Sequence, residues 1–538
     1  MAESFEFIVV GSGPAGGAVA AGLANSGKKP SVLLLEAGGA NDDNNLHVDG
    51  QRWQTLLRQG LNWGYKTVPQ EHCANREIDY SRGKGLGGSS AINFGVYTVG
   101  AREDYEEWAR ITGDEAFRWD KIQARFKAPG TFDGRLPPGV NAKYAAPKDS
   151  DHGFSGPLKT GYAAEWEHDL PPLLDTFESA GFAINPDHNS GNPLGMSVLI
   201  NTALKGTPVH RLVLEGSKAV EVENYASNEV VLSAGALDSP KILMHSGLGP
   251  VNQLEKFNIP VVRGIPLVGQ GLRDHQFCPL VFTRAKGTTN RASFYGDEKV
   301  MDEAVEQWEK DGTGSWAKFA CETGIGFFKL DAVTSSKDFE DLPKEEQAYL
   351  QSETVPHMEV FTHFPMHWFI PDFPKESLDY NCFLAFLYNS QGRGEVTLQS
   401  SDPNVSLLFD PKFLAHPFDR RAAIESLRTV LKVVRSEAYS KDTVAQLAGP
   451  TSDSEEDLLK YWEQTISSSW HMTGTLKMGK RGDADAVVDP DFRVLGVQNL
   501  RVADMSAVPV LASAHTQAVA YVTGITCAEK LIAEYGLA

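Results

Sequence analysis

An apolar run, Phe5-Glu6-Phe7-Ile8-Val9-Val10, ends at Gly11-Ser12-Gly13-Pro14-Ala15-Gly16, and small apolar residues continue to Leu23. Few folds accommodate that order. A short run rich in β-branched and aromatic residues predicts a buried strand, and the small residues after it predict a helix lying close on a sheet. Gly11 serves the tight turn, Gly13 lets backbone approach a diphosphate, and Gly16 allows close helix packing. Pro14 and Ala15 open a helix whose positive N-terminus faces the anion. Ser31-Val32-Leu33-Leu34-Leu35 predicts the second strand, ending at Glu36, about 20 residues past the last glycine, where a carboxylate accepts ribose hydroxyls. The expected class is α/β, with a Rossmann-like dinucleotide-binding domain. This motif alone does not separate NAD from FAD.

With 538 residues, the chain has room for more than this domain. Its 70 acidic and 50 basic side chains leave a formal charge of -20, which disfavours general affinity for nucleic acid or anionic lipid. Five scattered cysteines (Cys73, Cys278, Cys321, Cys382, Cys527) lack Cys-x-x-Cys spacing, so neither a disulfide framework nor a zinc site is expected. No apolar run approaches the roughly 20 residues that cross a bilayer. The first residues are too short and acidic a stretch for a signal peptide. The expected compartment is therefore cytoplasmic.

Four further blocks stand along the chain. A glycine-rich loop runs Arg82-Gly83-Lys84-Gly85-Leu86-Gly87-Gly88-Ser89-Ser90-Ala91-Ile92-Asn93, and Gly235 to Gly249 follows the apolar stretch Val230-Val231-Leu232-Ser233. Trp470-His471-Met472-Thr473-Gly474-Thr475 and Ser513-Ala514-His515-Thr516-Gln517 carry two histidines near the C-terminus. With Gly269-Gln270-Gly271-Leu272-Arg273-Asp274-His275 and Asn499 to Asp504, they fall in the order of the glucose–methanol–choline (GMC) oxidoreductases, which the chain resembles from residue 5 to about residue 532.

The resemblance implies FAD rather than NAD. By position, Glu36 holds the ribose, Arg82, Gly87, Gly88, Ser89 and Asn93 line the diphosphate and flavin, and Asp504 and Thr516 lie near the cofactor as well. Some family members attach FAD through a histidine in the first loop. The matching position is Ile92, so FAD is expected to be bound non-covalently. Gly85 stands where relatives usually carry a larger apolar residue. The links around 200–230 are shorter than in most relatives.

Alcohol oxidation needs a base for the hydroxyl proton and an acceptor for the α-hydride. An imidazole takes a proton near neutral pH. The resemblance places His471 and His515 at the reactive face of the flavin, with His471 as the base and His515 steadying the alkoxide while hydride passes to N5. Asp274 and His275 are read as structural. So are His210, His245 and His416, which have no partner motif. Dioxygen or a quinone is the expected electron acceptor.

The motifs imply a discontinuous FAD-binding domain (1–155, 190–285 and 455–538). Residues 156–189 and 286–454 form a substrate domain built on a mainly antiparallel sheet. Glu298 to Lys310 and Asp341 to Ser352 predict helices, Glu395 to Leu398 a strand, and Pro417 to Arg435 an amphipathic helix. Alternation around His357 to Phe369 predicts a strand, and Pro365 argues against a central one. Phe361, Phe364, Trp368, Phe369 and Trp470 suggest an aromatic pocket, with Phe361, Trp368 and Trp470 as its candidate substrate contacts and an apolar or aromatic primary alcohol as substrate. His363 and His367 are four apart, but Pro365 between them breaks the helix a metal pair would need, and no metal is expected. The alternative is a lyase, cyclase or photodecarboxylase using FAD without net oxidation. Decarboxylation needs a cationic clamp, and Lys375 is the only Lys or Arg between 357 and 387.

Overall fold

The computed structural model describes residues 4–40, 60–163, 166–204, 207–208, 226–289, 298–311, 324–365, 369–370 and 379–538. Phe5–Val10 forms the expected strand, Pro14–Ala24 the helix and Val32–Leu35 the next strand. They join Ala226–Leu232 and Leu500–Val502 in a parallel sheet, with Phe5–Val10 and Ala226–Leu232 in the middle. Val10 pairs with both Leu35 and Leu232, and Leu232 with Val502, so the carboxyl ends of all four strands align. The residues that leave those ends include Gly11, Glu36, Ser233 and Asp504. Ligands of open parallel sheets bind in the crevice at that edge. Within the same sheet, Arg501, fully buried, is held by both carboxylate oxygens of Glu229 at 2.6 and 2.7 Å and by Glu534 at 2.5 Å. The C-terminal helix Gln517–Glu534 is thereby tied to the sheet.

The second layer is a seven-stranded antiparallel sheet. Its order is Thr443–Ala448, Gln276–Arg284, Tyr380–Leu387, Met358–Phe361, Gly324–Phe328 and Gly195–Val198, with Ser467–Ser468 also on Gln276–Arg284. Three of these strands come from stretches that the motif order assigns to the nucleotide part: 195–198, 276–284 and 467–468. Gln276–Arg284 is covered on both faces, and its Phe277 to Phe282 core shows no polar alternation that would mark it as a strand of an antiparallel sheet.

Helices form at Glu298–Asp311, Lys344–Gln351 and Pro417–Val434, and a strand at Gly394–Thr397, close to their predicted bounds. The aromatic segment departs from expectation. Met358–Phe361 is a central strand, because it ends four residues before Pro365, which therefore breaks no ladder. Among the described residues no helix is long and apolar enough to cross a membrane.

Candidate active site

A cavity of about 740 Å³ runs from the carboxyl edge of the parallel sheet to the antiparallel sheet. Of the expected cofactor residues, Gly11, Gly13, Pro14, Ala15, Glu36, Arg82, Gly88, Ser89, Asn93, Asp504 and Thr516 line it. Gly16 and Gly87 do not; they shape the wall from behind. A Cβ on Gly16 would stand 1.9 Å from the Gly11 carbonyl oxygen, and Gly87 donates its N–H to Ser12 O at 3.2 Å with φ +89°.

The cradle at this end fits a dinucleotide. Gly11 holds φ +103°, and a Cβ there would meet Ser233 O at 2.4 Å. A Cβ on Gly13 would meet nothing within 4 Å, so backbone faces open space there. Glu36 lies at the strand end with Oε2 accepting from Ser12 N (3.0 Å) and Oγ (2.7 Å), and Oε1 from Gly38 N (2.9 Å). Asp504 is buried and accepts from Gly235 N, Ser239 Oγ, and Ser506 N and Oγ, which pins the 235 loop to the sheet edge. Asn93 donates to Gln517 Oε1 at 2.6 Å, joining the first loop to the C-terminal helix. Ile92 is on the wall, a hydrocarbon side chain with no atom to bond a flavin covalently.

At the other end the two histidines meet. The His471 and His515 rings lie 4.8 Å apart at 84°, both on the cavity wall, though 44 residues separate them. His471 Nδ1 is 3.0 Å from Ser469 Oγ and 2.9 Å from His275 Nδ1, which leaves Nε2 as the ring nitrogen unengaged among the described residues. Burial, then the neighbouring His515, His275 and Arg82, hold its pKa well below the usual imidazole range. The ring is neutral at neutral pH and can accept a proton. His515 Nε2 lies 3.0 Å from Glu359 Oε1, and its backbone N–H donates to Thr98 Oγ1 at 2.7 Å. Tyr388 O–H donates to the other oxygen of Glu359.

His471 is delivered by a turn in which Trp470 takes φ +59°. Asp274 holds that turn, accepting the His471 N–H at 2.7 Å and the Ser468 hydroxyl at 2.5 Å, while Ser468 Oγ accepts Trp470 N–H at 2.8 Å. The structural reading of Asp274 therefore includes aiming His471. Burial pushes Asp274 up to about 7, against the pull of those hydrogen bonds. In the unfolded chain it titrates near 3.8, so between about pH 4 and pH 7 the folded protein binds the extra proton. Stability from this group is present below that window and lost as pH rises through it. Asp274→Asn is expected to flatten the pH dependence of unfolding there, by up to about 1.4 kcal/mol per pH unit. Denaturant titrations of both proteins at pH 4, 5, 6 and 7 check this; parallel curves would clear Asp274 of the effect.

Phe94, Phe277, Phe361, Phe364, Phe386 and Trp470 make the adjoining wall apolar. Phe361 and Trp470, two of the three candidate substrate contacts, are thus on the cavity wall; Trp368 and His367 lie outside the described residues, as does His210. His363 bonds Asp169 (3.1 Å) and Thr362 (2.7 Å), and His416 caps the helix Pro417–Val434. His245 is a different case: it lines the cavity beside Lys241, with its buried Nε2 unpartnered among the described residues. Sequence reasoning also missed Glu359, Ser469 and Gln517. Glu359 had a signal, since strand alternation puts it on the face of Phe361, a lone acid in an aromatic row. Among the described residues no group of three or more His, Cys, Asp or Glu could hold a metal ion.

Comparison with known proteins gives this geometry its context. A family model described as GMC oxidoreductase matches residues 5–207 and 198–277 with its N-terminal part and 390–524 with its C-terminal part. The dehydrogenase pkfF of Emericella nidulans is 29% identical, the alignment covering 98% of this chain and 92% of that protein. Versicolorin B synthase of Aspergillus parasiticus is 27% identical over 99% of this chain and 88% of its own length. The crystal structure of a formate oxidase superposes with a TM-score of 0.86 at 23% identity, covering all of both chains. The family matches span both ends of the cavity and most of the sequence, and the chain belongs to the GMC oxidoreductases, a family of FAD-binding enzymes.

Proposed function

We propose that this protein is an alcohol oxidase or dehydrogenase that turns an apolar or aromatic primary alcohol into the aldehyde. One observation carries the reading: two imidazoles 4.8 Å apart share a cavity wall with the glycine cradle. When bound, FAD supplies the hydride acceptor. The residues for it are Gly11, Gly13, Gly88, Ser89, Asn93, Glu36, Asp504 and Thr516, with no covalent bond at Ile92.

His471, neutral and with Nε2 unengaged, takes the hydroxyl proton. His515, steadied at Nε2 by Glu359, holds the substrate oxygen as charge builds on it. The aromatic wall receives the carbon side of the substrate and excludes water from it. A redox-neutral decarboxylation finds less support. Among the described residues, Arg82 is the cation that acts on His471, and it donates Nε to Ser81 O at 2.6 Å and Nη2 to Trp470 O at 2.7 Å.

The test is anaerobic mixing of the yellow protein with benzyl alcohol and a panel of aliphatic primary alcohols. Bleaching of the flavin band is expected, and readmitting dioxygen or a quinone dye in parallel identifies the acceptor. Undiminished colour across the whole panel would remove the reading.

A further inference from the structure

A histidine accepts a proton at Nε2 only if its own proton sits on Nδ1. We propose that Ser469 and His275 lock His471 in that tautomer, which makes them positioning residues for the base; this rests on the reading of His471 above.

Ser469 Oγ lies 3.1 Å from the His275 carbonyl oxygen and 3.0 Å from His471 Nδ1. A carbonyl oxygen only accepts, and the structure gives it the single hydroxyl proton. Toward His471 the hydroxyl has lone pairs alone, and Nδ1 must donate. The second neighbour, His275 Nδ1 at 2.9 Å, takes the other branch of the same N–H as an acceptor. His275 then carries its own proton on Nε2, which is buried without a hydrogen-bond partner among the described residues, a cost that the paired Nδ1 contacts must offset. Two N–H groups cannot face each other at that distance, so the two rings are protonated in concert.

Position is enforced as tightly as protonation. The His275 carbonyl also accepts the Ser469 backbone N–H at 3.0 Å, and Asp274 accepts the His471 N–H at 2.7 Å. Both sides of the Nδ1 contact are therefore bolted to residues 274 and 275. His275 itself lies over the Tyr388 ring, with centroids 4.0 Å apart, and is fully buried. The opposite tautomer of His471 would turn a bare Nδ1 toward the lone pairs of Ser469 and leave an N–H where the substrate proton must arrive.

Removing the hydroxyl should free the choice. In Ser469→Ala only His275 remains at Nδ1, and it can donate as well as accept, so the Nε2–H form becomes populated. Long-range 1H–15N NMR on protein labelled at the histidine ring nitrogens reads the tautomer directly, the His471 signals being those lost in His471→Asn. The expected result is Nδ1–H in the wild type and a mixture in Ser469→Ala. In anaerobic rapid mixing, Ser469→Ala should reduce its flavin about tenfold more slowly or worse at saturating alcohol, with the dissociation constant of the alcohol little changed. Ser469→Thr, which keeps the hydroxyl, should restore the rate. An Nε2–H signal in the wild type overturns the proposal even if the alanine variant does not fold, and so does a wild-type reduction rate in a folded Ser469→Ala. Should His471→Asn reduce at full speed, the base assignment fails separately, while the tautomer spectrum still decides this inference.

Discussion

Flavin reduction by an apolar primary alcohol is expected to slow by about three orders of magnitude in His471→Ala, with FAD retained at the wild-type ratio. The size follows from what is removed. General base catalysis contributes roughly 10²- to 10⁴-fold, and the upper half of that range applies where no other group can substitute. Here the nearest imidazole, His515, has Nε2 against Glu359, and His275 is fully buried behind His471. Retention of FAD follows from geometry, because the glycine cradle and Glu36 lie at the opposite end of the cavity. The measurement is stopped-flow bleaching under anaerobic conditions, with the visible spectrum as the control for occupancy. A variant that is yellow and reduces within a few-fold of wild type would take His471 out of the mechanism. A colourless one would show instead that the turn at Trp470 supports the cofactor.

How far the sequence reached depends on whether a feature is local. The cradle was legible because strand, turn, helix and acid follow one another between Phe5 and Glu36. Every physical demand on those residues is met within the segment. The histidine pair was found as two motifs, and the resemblance set both at one reactive face. The 84° approach of their rings is a tertiary fact, as is the contact of His515 with Glu359, 156 positions away. Pairing of strands across such distances leaves no periodic trace in either partner. The same limit explains the substrate sheet. Gly195–Val198 and Gln276–Arg284 lie in stretches grouped with the nucleotide part by motif order, and their place in the other sheet is decided by distant partners such as Gly324 and Phe386. Ser469 is the instructive miss. Two residues before His471 it looks like filler in a serine run, and only the direction of one hydrogen bond gives it a role.

Gly16→Ala is expected to yield protein that folds less stably and loses FAD, whereas Gly13→Ala should lose FAD alone. The contrast separates two demands that the glycine motif combines. At Gly16 a Cβ would meet Gly11 O at 1.9 Å and Ser233 Cβ at 2.9 Å, and neither can yield, since both are carried by the strand ends that form the crevice. Gly16 does not take a positive φ, so backbone strain adds nothing and the effect is pure overpacking. Forcing the helix Pro14–Ala24 off the sheet costs about 1–3 kcal/mol. It also moves the helix N-terminus and Gly13 away from Gly88, which a Cβ would bring to 3.0 Å of the Gly13 Cα. At Gly13 the same methyl group meets no protein atom within 4 Å. Stability should therefore be unchanged within about 0.5 kcal/mol. The methyl group points instead into the open space proposed for the diphosphate, and titration of apoprotein with FAD should show binding weaker on the order of tenfold or more. Equal loss of stability in both variants would mean that Gly13 is there for the fold. Full FAD binding in Gly16→Ala would mean that the close helix approach, the feature that most restricts this chain's fold, is not what builds its binding site.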